Sequence, residues 1–305
     1  MHNNLEIMQN FTLKNIPDLD TCVLGALELF MKEKLPKINI IFKRPMVVGS
    51  GNAEATGRII FRKKDAIFAS ESDFKEKLKN IKNIDGVILV SASGGKHAPI
   101  IAKYAKQRKK KVVLITNTEN SDASKSADKV FLFPKQKEPY TYNTSTYMGP
   151  ILAESKEDPK KIYQFIKTKI EKIKLPKLKK YKKFYILVPT EFAGIIRMLQ
   201  VKFIELFGRQ IARDVETIEY IKHATTVVPS DELFISFGEK NKHYGKNKLH
   251  IPLPKNAGYG AMMAISYYII GQIQKSHPPY FKKNIEKYTK EASKIFYKTI
   301  KTIVE

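Results

Sequence analysis

VILVSASGGKHAP, residues 87–99, is the stretch on which the reading of this chain turns. Val87–Val90 has the length and aliphatic character of a strand buried on both faces. It stops at Ser91-Ala92-Ser93-Gly94-Gly95, after which Ile100, Ile101, Tyr104 and Ala105 recur at helical spacing. A strand, a tight Ser/Gly turn and a helix start together make an anion site. The glycines admit close approach to the backbone, the first helical turn presents free N–H groups and a partial positive charge, and the hydroxyls add donors. The guest that suits such a turn is a phosphate on a small molecule. The same residues also serve an ordinary βα turn, and the local sequence leaves both readings open.

Working outward, a second unit of the same kind precedes it. Met46-Val47-Val48 reads as a strand running into Gly49-Ser50-Gly51-Asn52-Ala53, with a helix to about Lys63. This loop lacks the third in-register glycine of a dinucleotide fingerprint. Two Gly-rich loops, if set on adjacent strand ends, have the geometry to converge on one phosphate, at the switch point of an open sheet. Strands at 66–69, 112–116 and 130–133 alternate with helices at 72–79 and 121–127. The pattern predicts a doubly wound parallel sheet. Residues 1–16 read as irregular, and a helix follows from Pro17 to before Pro36. After the loop 134–142, Asn143-Thr144-Ser145-Thr146 opens a helix to about Ser155. Its hydroxyls both cap a helix and offer an anion donors.

Asp158 starts a basic helix to about Lys174, and KLPKLKKYKK (174–183) reads as a linker. The second half then repeats the first. Phe184–Val188 is a strand, and Pro189–Gly194 stands where the Gly loop stood, too altered for a second phosphate to be expected. A helix with Ile196, Leu199, Phe203 and Leu206 on one face follows, then strands at 232–237 and 249–253, and helices at 257–275 and from about Lys282. The expected divisions are 1–44, 45–157, 158–183, 184–280 and 281–305.

The chain has 305 residues, 43% of them hydrophobic, enough for two domains with cores. A single cysteine, Cys22, excludes an internal disulfide and a cysteine metal cluster. The N-terminus lacks a signal-peptide pattern, and no apolar run reaches membrane-helix length. A soluble cytoplasmic protein without membrane partners is expected. The net charge of +25 comes from 55 Lys and Arg against 30 Asp and Glu. The lysines read as a spread, solvated surface. With no zinc-finger spacing or RNP-like motif, nucleic acid is not expected as a partner.

Ser91-Ala92-Ser93-Gly94 resembles the SxSG turn of the sugar isomerase (SIS) family, the phosphosugar-binding module of glucosamine-6-phosphate synthase and phosphoglucose/phosphomannose isomerases. The family pattern often continues with a threonine where this chain has Lys96, an ammonium that is itself a phosphate partner. The Gly49–Ala53 loop, the segment 112–134 and the hydroxyl-rich helix start at 143–147 fit the same resemblance, which extends more weakly to about residue 275. It implies two flavodoxin-like doubly wound α/β subdomains, a double SIS arrangement. The implied ligand is a hexose or aminosugar phosphate, held by Gly49, Ser50, Gly51, Asn52, Ser91, Ser93, Gly94, Lys96, Thr144 and Ser145. A homodimer is implied as well.

Aldose–ketose isomerisation needs a base beside the sugar, a group that helps open the ring, and a phosphate clamp. By resemblance, Glu205 is the candidate base and His223 the ring-opening group, from its own copy or a neighbour's. Glu191, Glu216 and Lys202 stand in reserve, and His97 lies at the phosphate turn. No metal site or cofactor is indicated. The expected activity is phosphosugar isomerisation or the related deamination of an aminosugar phosphate. The alternative is a non-catalytic sugar-phosphate-binding regulator.

Overall fold

The computed structural model describes residues 3–223, 228 and 230–305. The chain divides into two compact units. The smaller comprises Lys32–Lys135 and Ser145–Lys156, and the larger Met1–Met31, Gln136–Thr144 and Glu157–Glu305. The chain thus enters the smaller unit, leaves it, returns and leaves again.

Two helices come first, α1 (Asn4–Asn10) and α2 (Leu19–Lys32). The first was not expected from the sequence. It is one short amphipathic stretch, capped by the Asn3 side chain on the Leu5 amide and buried through Leu5 and Met8. Its seven residues are too few to show a period.

The smaller unit contains β1 (Pro45–Val48), α3 (Asn52–Ile60), β2 (Ile67–Ala69), α4 (Phe74–Asn80), β3 (Gly86–Val90), α5 (Ala98–Gln107), β4 (Lys111–Thr116) and β5 (Lys129–Leu132). The five strands are parallel, in the order β2-β1-β3-β4-β5. β1 and β3 are buried along their whole length, as strands covered on both faces must be. One core cluster joins Met46, Val48, Val87, Leu89, Val112 and Leu114 of the sheet to Ile101, Ala102 and Ala105 of α5. The short helix expected at 121–127 is a single 3-10 turn, Ser124–Ser126.

After β6 (Glu138–Pro139), helix α6 (Thr144–Ser155) begins in the larger unit and continues in the smaller. The larger unit resumes with α7 (Pro159–Phe165), β7 (Lys183–Val188), α8 (Ile196–Phe207), β8 (Ala212–Thr217), β9 (Leu233–Phe237), β10 (Asn247–Ile251), α9 (Tyr259–Ser276), α10 (Tyr280–Ile295) and β11 (Ile303–Val304). Its four parallel strands run β10-β9-β7-β8, the order of the first four strands of the smaller unit. Both sheets are therefore doubly wound, as the sequence pattern predicts. β8 was missed because ARDVET carries three charges, which an edge strand tolerates. The residues read as a linker, 174–183, fold within the larger unit, with Leu178 and Tyr181 buried.

Buried charge in the larger unit is met by backbone groups. Lys202 is completely buried on α8. Its ammonium donates to the Thr141 and Tyr142 carbonyls, and to Glu205 at 2.8 Å. At the start of α9 the Glu157 carboxylate accepts from the amides of Gly258 and Gly260, both at 2.7 Å, and of Ala261 at 3.2 Å. These are the orphan donors of an 18-residue helix. Among the described residues no helix is long and apolar enough to cross a membrane. Glu157→Ala is expected to destabilise the protein by about 1–2 kcal/mol, the usual cost of losing a helix N-terminal acceptor. Urea denaturation checks this, and Glu157→Gln should recover part of the loss.

Candidate phosphate-binding site

The site begins with the way the smaller unit's sheet is threaded. From β1 the chain crosses to β2 on one side, then returns past β1 to β3 on the other. Val48 is in register with Leu89, so the loops that follow β1 and β3 start side by side at the same edge of the sheet. This is the switch point, where helices diverge to opposite faces and leave a crevice.

On the β1 side, a Cβ on Gly49 would lie 2.5 Å from the Glu54 nitrogen and 2.6 Å from the Ala53 carbonyl carbon. Only glycine lets the strand end pass this close to the first turn of α3. Gly51 takes a positive φ of 58° and faces open space. Ser50 beside it is half-buried. Glu54, the acid in the first turn of α3, is held by Arg58 at 2.8 Å. Asn52, the first residue of α3, is buried, and its Oδ1 has no hydrogen-bond partner.

On the β3 side the turn is braced from behind. The Ala92 carbonyl accepts from the Asn117 amide at 3.0 Å and from the hydroxyls of Thr116 and Thr118 at 3.0 and 3.1 Å. Gly94 has a φ of 56°, and a Cβ there would sit 2.2 Å from Ser121 Oγ. Ser91 Oγ accepts from the Gly94 amide at 3.2 Å, and Ser93 Oγ from the Gly95 amide at 3.4 Å. A hydroxyl that accepts in this way keeps its own hydrogen to donate elsewhere. α5 opens without a side-chain cap and without an acid in its first turn. Lys96 and His97, both half-buried, stand at its entrance. The turn therefore presents amide donors, hydroxyl donors and an ammonium, with no carboxylate in its first helical turn, which is the composition of an anion site.

The third expected element behaves differently. Thr144 and Ser145 are completely buried. The Thr144 amide already donates to Glu138 Oε2 at 2.7 Å, and its hydroxyl donates to the Tyr142 carbonyl at 3.4 Å. An internal carboxylate thus occupies the helix start at which an anion was expected. Sequence reading missed Glu138 because it lies in an apolar-poor loop with no pattern to mark it.

In the larger unit, Glu205 lies in the last turn of α8, its side chain 16% exposed, with the Lys202 ammonium beside it. Burial raises its pKa, and Lys202 then Arg197 oppose the shift. His223 ends a 3-10 turn, Tyr220–His223, and is exposed. The sheet separates these two residues. Phe184 of β7 packs on Phe203 of α8, whereas its neighbour Tyr185 faces the other way, stacks on Phe234 and joins Ile221 of the 3-10 turn. Adjacent strand residues point to opposite faces. Glu205 and His223 therefore lie on opposite faces of one sheet within a single copy. Of the reserves, Glu191 is exposed and Glu216 is half-buried on edge strand β8, while Lys202 emerges as the partner of Glu205. Among the described residues no three His, Cys, Asp or Glu side chains gather as a metal site.

No curated protein sequence matches the chain. Solved structures match it along most of its length. The C-terminal domain of glucosamine-fructose-6-phosphate aminotransferase from Francisella tularensis superposes with a TM-score of 0.59 at 12% identity, covering 86% of this chain and 97% of that one. Glucosamine-6-phosphate deaminase from Thermotoga maritima gives 0.56 at 18% identity, covering 90% and 92%. Tagatose-6-phosphate ketose/aldose isomerase from Escherichia coli gives 0.55 at 12% identity, covering 86% and 89%. These likenesses show a shared fold. The SIS domain family model matches residues 47–153, which take in both Gly loops and most of α6. The match to the SIS domain model is confined to those residues, and the chain's doubly wound α/β architecture is shared with these solved structures.

Proposed function

We propose that this protein binds a hexose or aminosugar phosphate through Gly49–Asn52 and Ser91–Lys96, and acts on it as a phosphosugar isomerase or aminosugar-phosphate deaminase. The observation that carries the reading is the pair of loops at the β1/β3 switch point, which combine donors with a helix start that has no acid in its own first turn. The phosphate takes the amides after Gly95, the Ser91 and Ser93 hydroxyls and the Lys96 ammonium. The unpaired Asn52 Oδ1 then receives a sugar hydroxyl, which relieves a buried acceptor worth about 1–3 kcal/mol. The names of the structural relatives support this substrate class.

Glu205 is the proposed base. A carboxylate raised above its ordinary range by burial is a better proton acceptor, and Lys202 steadies its ionised form. Because the sheet stands between Glu205 and His223 in one copy, the two cooperate only between copies of a homodimer. The second reading, a non-catalytic binder, rests on the same ion pair. In that case Lys202–Glu205 only fastens α8 to residues 141–142.

Thermal-shift titration with fructose 6-phosphate, glucosamine 6-phosphate and the free sugars tests the binding. A rise in melting temperature with a phosphorylated sugar, absent with its free counterpart and reduced in Ser93→Ala, is expected. Gly94→Ala should abolish it, since its Cβ collides with Ser121 and its φ is positive. No shift with any phosphate ends the proposal. For catalysis, Glu205→Gln should retain the thermal shift while turnover falls by about 100-fold or more. The wild-type rate should decline on acidification at a pH above that of an ordinary glutamate, because the base works only when ionised. Retained turnover in this variant dismisses Glu205, and binding without turnover in the wild type selects the regulator. Mixing Glu205→Gln with His223→Ala subunits should restore about a quarter of the activity if the pair spans a dimer. Mixtures as inactive as their parents overturn that arrangement.

A further inference from the structure

The positive charge of this protein is unevenly placed. The 24 residues from Lys160 to Lys183 hold eleven lysines and one carboxylate, which is ten of the chain's net 25 positive charges in under a tenth of its length. All eleven lysines are exposed. They do not sit on a flexible connector. α7 continues through the wide turn Ile166–Ile170, and Ile162, Ile166, Ile170, Leu178 and Tyr181 anchor the segment in the core of its unit. The one acid, Glu171, is taken by Lys167 at 2.6 Å and by the Tyr268 hydroxyl at 3.2 Å. Holding this many like charges on an anchored surface costs repulsion that a polyanion would relieve.

From this surface we propose that Lys160–Lys183 docks on the phosphate backbone of duplex nucleic acid, without sequence preference. A duplex carries about one negative charge per 1.7 Å of axis. The helical part of the segment, at about 1.5 Å per residue, spans several such charges. Other polyanions fit less well. A membrane-surface helix needs an exposed apolar face, and no large apolar side chain of this segment is exposed, Ile162, Ile166 and Ile170 being spent on the core. Single strands are gripped by stacking on exposed aromatics, and here Tyr163 and Phe165 are half-buried and Tyr181 is buried. With no side chain arranged to read base edges, the contact is electrostatic and indifferent to sequence. This surface is independent of the sugar-phosphate site, so either proposal stands without the other.

The test is fluorescence anisotropy of the full chain with a labelled duplex DNA of about 24 base pairs across a salt series, the length being about two helical turns. Micromolar affinity is expected at about 0.1 M salt, with log K falling steeply against log salt, at a slope of about −4 for some five phosphates. Replacing Lys169, Lys172, Lys174 and Lys179 by Gln should weaken binding by about tenfold or more and flatten the slope by about 3. Replacing the exposed α10 lysines Lys283, Lys287, Lys290 and Lys294 by Gln changes net charge equally and should leave affinity within about twofold. Melting temperatures of both variants verify folding. Equal losses in the two variants would reduce the effect to overall charge and overturn the proposal. So would no duplex binding at low salt, or binding to phosphatidylserine vesicles with none to the duplex.

Discussion

The pairing of β1 with β3, while β2 lies on β1's other side, is the constraint from which the smaller unit's chemistry follows. It places two loops side by side at one sheet edge and sends their helices to opposite faces. One of these loops is the Ser91–Lys96 turn, whose Gly94 and Gly95 amides are held by the hydroxyls of Ser91 and Ser93. Gly49 and Gly94 are the positions where this arrangement meets steric limits. At the first, a side chain would strike the backbone of α3. At the second, it would strike Ser121, and the left-handed conformation adds its own penalty. Neither glycine is there for flexibility; each lets two pieces of chain come closer than a Cβ permits.

The larger unit repeats the strand order but treats its helix starts differently. The first amides of α9 are occupied by Glu157, and the Thr144 amide at the start of α6 by Glu138. A carboxylate of the chain thus takes the position that an incoming anion would need. Lys202 is the converse case, a buried cation satisfied by two carbonyls and one carboxylate. Breaking any one of these sets leaves an uncompensated polar group inside the protein, which is why each fixes its segment so firmly.

The lysine-rich surface shows how the same composition carries different meanings in different settings. Spread over disordered chain, the charges at 160–183 would lie at no fixed spacing. Held on an amphipathic segment with Ile162, Ile166 and Ile170 buried, they become a fixed array. The buried residues at 162, 166 and 170 do the fixing and the lysines between them do the displaying.

By itself the sequence determined the fold class and the Ser/Gly turn after Val90. Alternation of apolar runs with helical periods identified both doubly wound sheets, because buried parallel strands must be continuously apolar. The Ser/Gly turn after Val90 was legible because left-handed backbone and close approach leave few residue choices. The tertiary structure alone decided what lies next to what. α1 escaped notice because seven residues carry too little pattern, and β8 because an edge strand needs no apolar run. That Glu138 fills the start of α6, that Lys202 is the partner of Glu205, and that a sheet stands between Glu205 and His223 depend on contacts between residues far apart in the chain. Local composition fixes how a segment is built, but the partners of a buried charge are chosen by packing.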